Sequence, residues 1–421
     1  MLRQQHDRSV NREPGHLSSP LSPEQLRELM PALANKTYFN YGGQGPLPNA
    51  SLEAITASWR TIQELGPFTA DIWPWLEGEV RSLRGALAAL CGVPPERLAL
   101  TENVTSGCVL PLWGLPWQAG DELLISDCEH PGVVAACREL ARREGLSIST
   151  LAVKGLRGDL ASTNASVLEA LGASLTPRTR LVVLSHLLWN TGQLMPIKAV
   201  AHRLKQHPRR PWLLVDAAQS VGSLPLAEHE ADTGGAGAAA VADIYAFTGH
   251  KWCCGPEGLG GVALSERLLA EAQPTMGGWR SLAQENDQGS AWHQDARRFE
   301  VATSCVPLLA GLRRSLELLE AVAPAPERLE LIQKRSQQLW HGLSQLPGVH
   351  PLLEVPPPAG LVSFVVEGAA PGDLVSQLGE RAIWLRTLDD PHCLRACTHI
   401  TTTGAELEVL LATLAELTRP T

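Results

Sequence analysis

The chain has 421 residues, 44% apolar and 19% charged, the composition of a folded protein large enough for one sizeable α/β unit and a smaller partner. A formal net charge of −9 argues against a nucleic-acid backbone as principal partner, and no run of about eighteen apolar residues offers a membrane span. Nine scattered cysteines without CxxC spacing fit reduced thiols in a cytoplasmic setting better than a disulfide framework.

Residues 1–30 are polar, with Pro, Ser and both charge signs, and read as a disordered extension rather than a targeting segment. Thr37-Tyr38-Phe39-Asn40-Tyr41 is extended and runs into Gly42-Gly43-Gln44-Gly45-Pro46, a forced loop. Helices are predicted at about 51–65 and 76–91. Apolar runs then recur at 97–101, 122–127, 147–153, 180–184, 211–215, 243–247 and 259–264, alternating with helical stretches, which predicts a mainly parallel seven-stranded sheet. Thr233 to Val241 is almost wholly Gly and Ala and reads as a flexible surface insertion. Helices follow at 308–323 and 326–345, strands near 360–366, 382–386 and 394–399, and a closing helix at 403–418. The expected division is a large domain over 31–305 and a smaller α+β domain over 306–421, with the N-terminal segment contributing to the smaller one.

A parallel sheet binds ligands at the carboxyl ends of its strands. There the sequence supplies Thr101-Glu102-Asn103-Val104-Thr105-Ser106-Gly107, Asp127-Cys128-Glu129-His130-Pro131-Gly132, Ser185-His186, Asp216-Ala217-Ala218-Gln219 and Thr248-Gly249-His250-Lys251. Lys251 lies between an apolar strand and Trp252-Cys253-Cys254-Gly255-Pro256, where desolvation lowers a lysine pKa and yields the neutral amine an imine needs. A solvated surface lysine is the plain alternative. Asp216 ends Trp212-Leu213-Leu214-Val215, where a carboxylate either keeps a cofactor pyridine nitrogen protonated or caps the next helix. Gln219 could donate to a ring oxygen. Thr105, Ser106 and Gly107 lie at a strand-to-helix junction suited to a phosphate, although a simple N-cap has the same appearance. Thr248 and His250 add a second hydroxyl and an imidazole just before the lysine. Together these groups are those of a pyridoxal-5′-phosphate site.

Two other readings fall away. Gly255-Pro256-Glu257-Gly258-Leu259-Gly260-Gly261 precedes a strand instead of joining strand to helix, the wrong order for a dinucleotide fingerprint. Cys393, Cys397 and His399 are soft ligands on one short stretch but read as core with a chance histidine, so no metal is expected.

At these residues the sequence resembles the class V aminotransferase-like pyridoxal phosphate enzymes, the group containing the cysteine desulfurases, over roughly 35–415. The resemblance implies the type I fold of these enzymes, a large domain built on a mainly parallel seven-stranded sheet with a smaller α+β C-terminal domain. It implies Lys251 as the lysine that bonds the cofactor aldehyde, Asp216 as partner of the pyridine nitrogen, and Gln219 as contact to the ring oxygen. Thr105, Ser106, Thr248 and His250 would hold the phosphate. His130 is similar to the histidine that stacks on the ring, and Asn190 in Trp189-Asn190-Thr191-Gly192 to the asparagine near the substrate. Thr303 matches a position that reaches the phosphate of a neighbouring subunit, so a homodimer with shared sites is implied. Arg395 in Leu394-Arg395-Ala396 resembles the arginine that clamps the substrate α-carboxylate. Arg386 matches a position on the substrate side, with a surface ion pair as the alternative.

One departure narrows the expectation. Desulfurases of this type carry a cysteine on a flexible loop between these arginine positions, whereas here only Thr387 to Leu394 intervene and Cys393 has strand context. Without an acceptor thiol, sulfur should leave by β-elimination. Tyr38-Phe39-Asn40-Tyr41-Gly42-Gly43-Gln44-Gly45, Leu187-Leu188-Trp189-Asn190-Thr191-Gly192-Gln193 and Gly278-Trp279-Arg280-Ser281 resemble the cyanobacterial L-cysteine/cystine C–S lyases within the family, which puts Trp279 on the substrate side. The expected reaction is β-elimination on L-cystine, and more weakly L-cysteine, giving cysteine persulfide or sulfide, pyruvate and ammonia. A desulfurase or selenocysteine lyase is one alternative. A non-catalytic, cofactor-bearing scaffold in sulfur transfer or iron–sulfur cluster assembly is another, and a sulfur acceptor protein is a possible partner.

Overall fold

The computed structural model describes residues 20–227, 234–286 and 289–418. The seven apolar runs form strands β1 (Leu98–Thr101), β2 (Glu122–Ser126), β3 (Ser147–Leu151), β4 (Thr179–Val183), β5 (Trp212–Asp216), β6 (Ile244–Thr248) and β7 (Gly260–Leu264). They make one sheet in the order β1-β7-β6-β5-β4-β2-β3, parallel from β6 to β3, with β7 antiparallel to both its neighbours. Strands β2, β5, β6 and β7 are buried at every position, which is why they read as unbroken apolar runs: helices cover both faces of the sheet.

The second sheet contains β8 (Val349–Pro351), β9 (Leu361–Val366), β10 (Arg386–Asp389) and β11 (His392–Cys397), antiparallel in the order β8-β9-β11-β10. Along β11 the side chains alternate between two faces. Leu394 and Ala396 enter the smaller core with Phe39, Phe364, Leu407 and Leu410. Arg395 and its neighbours Cys393 and Cys397 take the other face. Near the N terminus, Thr37–Tyr38 pairs in parallel with Ile383–Trp384, so the start of the chain joins the smaller unit. Among the described residues no helix is long and apolar enough to cross a membrane.

Two expectations need correction. The extension expected over 1–30 is shorter, since Pro23–Glu28 is a helix opened by a Ser22–Gln25 capping box, with Leu26 and Met30 in the core. Residues 1–19 lie outside the described residues. The Gly/Ala stretch expected as a flexible surface insertion over 233–241 is packed from 234 onward. Ala236, Ala238 and Ala239 are buried, Ala238–Val241 is a short helix, and a Cβ on Gly235 would meet the Pro225 carbonyl at 2.6 Å. Small residues here serve close packing. Helix Val306–Val322 sends Leu309, Leu312 and Leu319 into a core that also takes in Leu329, Leu361 and Cys397, and its Ser315 hydroxyl bonds the Cys254 carbonyl at 2.9 Å.

Candidate active site

At the carboxyl ends of the parallel strands a small cleft open to solvent is lined by Val104, His130, Ser185, Leu187, Trp189, Asp216, Ala218, Gln219 and Lys251. The chain sets Lys251 by a tight turn at the end of β6. Gly249 N–H donates to the Leu259 carbonyl (2.9 Å), Cys254 N–H to the Lys251 carbonyl (3.0 Å), and Cys254 takes a left-handed φ of 50°. Gly45 backs onto this turn so closely that a Cβ would sit 2.2 Å from the Lys251 carbonyl oxygen, so the glycine loop predicted at 42–46 is a packing requirement. Burial pushes the Lys251 amine down to about 8, opposed by Asp216 and reinforced by Arg395 and Arg386.

Asp216 is 6% exposed; its Oδ1 accepts from Ala218 N–H at 2.9 Å, and no helix follows, so it is not the N-cap its position allowed. His130 caps helix Pro131–Glu144, with Nδ1 accepting from Gly132 N–H at 3.2 Å. Its ring stands edge-on to Trp189 at 5.5 Å, and burial foremost, with Lys251, Arg386 and Arg395 adding to it against Asp216, lowers its pKa. A neutral imidazole with its face open suits stacking on an aromatic ring. Gln219 is held at both ends, Nε2 donating to the Gly42 carbonyl (2.9 Å) and Oε1 accepting from Trp252 Nε1 (2.9 Å), which leaves one Nε2 hydrogen for a ligand.

The phosphate side differs in detail from expectation. Ser106 N–H is not free: Asn103, the N-cap of helix Val104–Trp113, accepts it at 2.9 Å, and Gly107 N–H bonds the Asn103 carbonyl. What Thr105 and Ser106 offer an anion is chiefly their hydroxyls, with Thr105 exposed. Thr248 Oγ1 lies 2.7 Å from His250 Nδ1, which orients the imidazole, and burial followed by the Lys251 charge lowers the His250 pKa. Asn103 was missed in the sequence, although an asparagine just before a helical apolar run is an ordinary capping signal. Ser185, one of the strand-end groups, lines the cleft with Trp189, which was given no role in the sequence and whose Nε1 donates to the Cys128 carbonyl at 3.0 Å.

On the other side stand the two arginines. They are directly opposed across the β10–β11 ladder, Arg386 exposed and Arg395 wholly buried. Arg395 Nη1 donates to the Trp189 carbonyl at 2.7 Å, while Nε and Nη2 are buried with no partner. Such unpaired buried donors are costly unless a ligand completes them. A Cβ on Gly42 would meet Cys397 Sγ, Gln219 Oε1 and Arg395 Nη2 at 2.9, 3.0 and 3.1 Å, so this glycine keeps open the space the guanidinium faces. Asn190 Nδ2 donates to the Asp390 carbonyl at 3.2 Å at the hairpin tip, and its Oδ1 is buried without a partner. Cys393 is buried within β11, its thiol pushed up to about 11 chiefly by burial. His399 is stacked on Tyr41 with Nε2 3.2 Å from the Trp252 carbonyl, so it is engaged away from Cys393. Among the described residues no cluster of His, Cys, Asp or Glu could hold a metal.

Two expected site residues are not brought to this cleft by the single chain. Thr303 is exposed in the segment before helix Val306–Val322, and Trp279 is 53% exposed in a short 3-10 turn, Trp279–Ser281.

The residues fit pyridoxal phosphate on the chain's own terms: a buried lysine of lowered pKa, an acid beside it, hydroxyls at a helix start, and an unpaired buried guanidinium beyond. Comparison with known proteins agrees. The structure is similar to that of the cystine C–S lyase C-DES in complex with its reaction product cysteine persulfide, at 43% identity and a TM-score of 0.85, covering 92% of this chain and 99% of that one. A lysine-to-alanine mutant of C-DES, with glycine covalently linked to its PLP cofactor, matches with the same score. The chain is 30% identical to the isopenicillin N epimerase of Amycolatopsis lactamdurans over 93% of its length and 96% of the epimerase. With the Streptomyces clavuligerus epimerase it shares 32% over 60% of this chain and 58% of the relative's length. A cysteine desulfurase of Escherichia coli O127:H6 is 29% identical over 71% of this chain and 69% of that protein. The family model "Aminotransferase class-V" matches residues 77–410, and the chain belongs to this family of pyridoxal phosphate-dependent enzymes.

Proposed function

We propose that the chain is a C–S lyase that acts on L-cystine by β-elimination, yielding cysteine persulfide, pyruvate and ammonia, with L-cysteine a poorer substrate. The observation that carries this reading is the short hairpin. Only Asp390 and Pro391 separate β10 from β11, and Cys393 is buried in the strand opposite Leu388, so this hairpin carries no arm on which its thiol could reach out to take sulfur from a substrate. The 43% identity to a cystine C–S lyase supports the same choice over a desulfurase.

Bound pyridoxal phosphate supplies an aldehyde that takes up an amine and a protonated ring that accepts electron density. Lys251, with its amine pushed down to about 8, would hold the cofactor aldehyde and would serve as the general base for the substrate Cα proton. Asp216 would hold the proton on the ring nitrogen, and His130 would pack on the ring face. Gln219 would offer its remaining Nε2 hydrogen to the ring oxygen. The hydroxyls of Thr105, Ser106 and Thr248, with His250, hold the phosphate. Arg395 takes the α-carboxylate on Nε and Nη2, the two donors the protein leaves unpaired. Asn190, whose Oδ1 is likewise unpaired, would contribute to the substrate side.

The exposed Arg386, opposite Arg395, suits the distal carboxylate that cystine has and cysteine lacks. A persulfide is also the better leaving group because its conjugate acid is stronger than a thiol. In the proposed homodimer, Thr303 and Trp279 complete the neighbouring site. Nine free cysteines suit a reducing, cytoplasmic compartment. The test is a product assay with cystine that follows pyruvate and sulfane sulfur together. Equal amounts support the lyase, sulfane sulfur with alanine indicates a desulfurase, inverted substrate without pyruvate an epimerase, and no turnover a scaffold.

A further inference from the structure

Glu129 is, among the described residues, a buried carboxyl beside the cleft that the reaction above does not use. It is 7% exposed, and both its oxygens are occupied. Oε1 accepts from the Ser126 hydroxyl at 2.5 Å and from Ser185 N–H at 2.8 Å, and Oε2 accepts from the Ser185 hydroxyl at 2.8 Å. Ser126 ends β2 and Ser185 follows β4, so the carboxylate fastens together the ends of two neighbouring strands. Ser185 lines the cleft beside Asp216 and Lys251. The residue after Glu129 is His130, whose backbone opens helix Pro131–Glu144 and whose ring stands over the same cleft. No cation is bonded to Glu129; burial, against its three hydrogen bonds and with Asp216 nearby, raises its pKa to about 7. Keeping a carboxyl in so unfavourable a place, where three donors converge on it, indicates that its geometry matters to the cleft above.

We propose that Glu129 is a positioning residue for the cofactor: by holding Ser185 and the turn before His130 to one frame, it sets the spacing between the two sides of the cleft into which the ring fits. The three bonds need an acceptor of carboxylate shape, and glutamine supplies it, since its Oε1 can take Ser126 and Ser185 N–H while Nε2 donates to a rotated Ser185 hydroxyl. Alanine leaves all three donors without a partner.

The experiment titrates cofactor-free protein with pyridoxal phosphate and reads the dissociation constant and the visible absorbance of the bound cofactor, with melting of the cofactor-free chain measured alongside. E129A should bind at least 10-fold more weakly and shift the absorbance band, E129Q should stay within about threefold of the unaltered protein, and S185A should fall between. E129A combined with S185A should be no worse than E129A alone, because the two act through one contact. Unchanged binding and absorbance in E129A overturn the proposal, as does an E129Q as weak as E129A, which would make charge rather than geometry the cause. If E129A does not fold, E129Q and S185A decide: S185A must weaken binding while E129Q does not. The readout is cofactor occupancy, so its failure is separate from failure of the cystine reading, which concerns turnover.

Discussion

The two sides of the cleft are finished to different degrees. On the large-sheet side most polar groups already have protein partners: Asp216 binds Ala218, Gln219 binds Gly42 and Trp252, Thr248 binds His250, and Glu129 binds both serines. On the hairpin side, Arg395 is wholly buried with two of its nitrogens unpaired, and Asn190 lacks a partner for its oxygen. The first side is shaped before any ligand arrives, while the second is completed by one. Such a division makes sense for a resident cofactor and a transient substrate, because unsatisfied buried donors gain most when the right anion enters and reject a neutral one.

The comparison can be broken most directly at Lys251. Lys251→Ala should lower kcat by about 10³-fold and abolish the visible absorbance of bound cofactor; a retained band would mean that another amine does this work. Next comes Arg395→Ala, expected to raise KM by about 30-fold with a much smaller change in kcat, in line with a charge-assisted contact. If the hairpin side is indeed incomplete without ligand, Arg395→Met should not lower the melting temperature of the ligand-free protein, since it removes an uncompensated buried charge. A clear fall would mean that the guanidinium is already paid for by the protein.

A pH measurement sharpens the other side. Only the neutral amine of Lys251 captures the cofactor, so capture by the cofactor-free chain should fall as pH drops through about 8, well below where an ordinary lysine would fail. Asp216 raises this lysine's pKa, so Asp216→Asn should carry the midpoint to lower pH; movement in the opposite direction would contradict the arrangement. Smaller effects are expected at the rim. Arg386→Ala should raise KM for cystine by about threefold and leave that for cysteine unchanged, as fits an exposed charge contact. Cys393→Ala should keep activity within about twofold, and a total loss would restore the desulfurase alternative.

The large-sheet side was legible in the sequence because strand ends announce themselves. An apolar run that stops at Asp216 or at Thr248-Gly249-His250-Lys251 puts those side chains at one rim whatever the helices do. Contacts set by distant chain were not legible. Nothing around Val306 tells which of two cores a helix with an apolar face will join, and its junction with the large sheet depends on Leu312 meeting Gly249 and Gly255. The stretch from 234 was misread because Gly and Ala favour loops and close packing alike, and burial by Pro225 and its neighbours decides between them. The Arg395 position matched a motif, but its unpaired nitrogens could only be seen once Trp189 had taken the third.

The tip of the β10–β11 hairpin is fastened twice, by Lys154 to the Asp390 carboxylate at 2.5 Å and by Asn190 to its carbonyl. Lys154 is itself secured through its backbone to Asp127. Lengthening this turn to make room for a thiol-bearing arm would release both ties and loosen the two strands that present Arg386 and Arg395. Reach and grip are therefore in competition at this tip: a variant that gained the ability to hand sulfur to its own chain would do so at the expense of the frame that presents its two arginines.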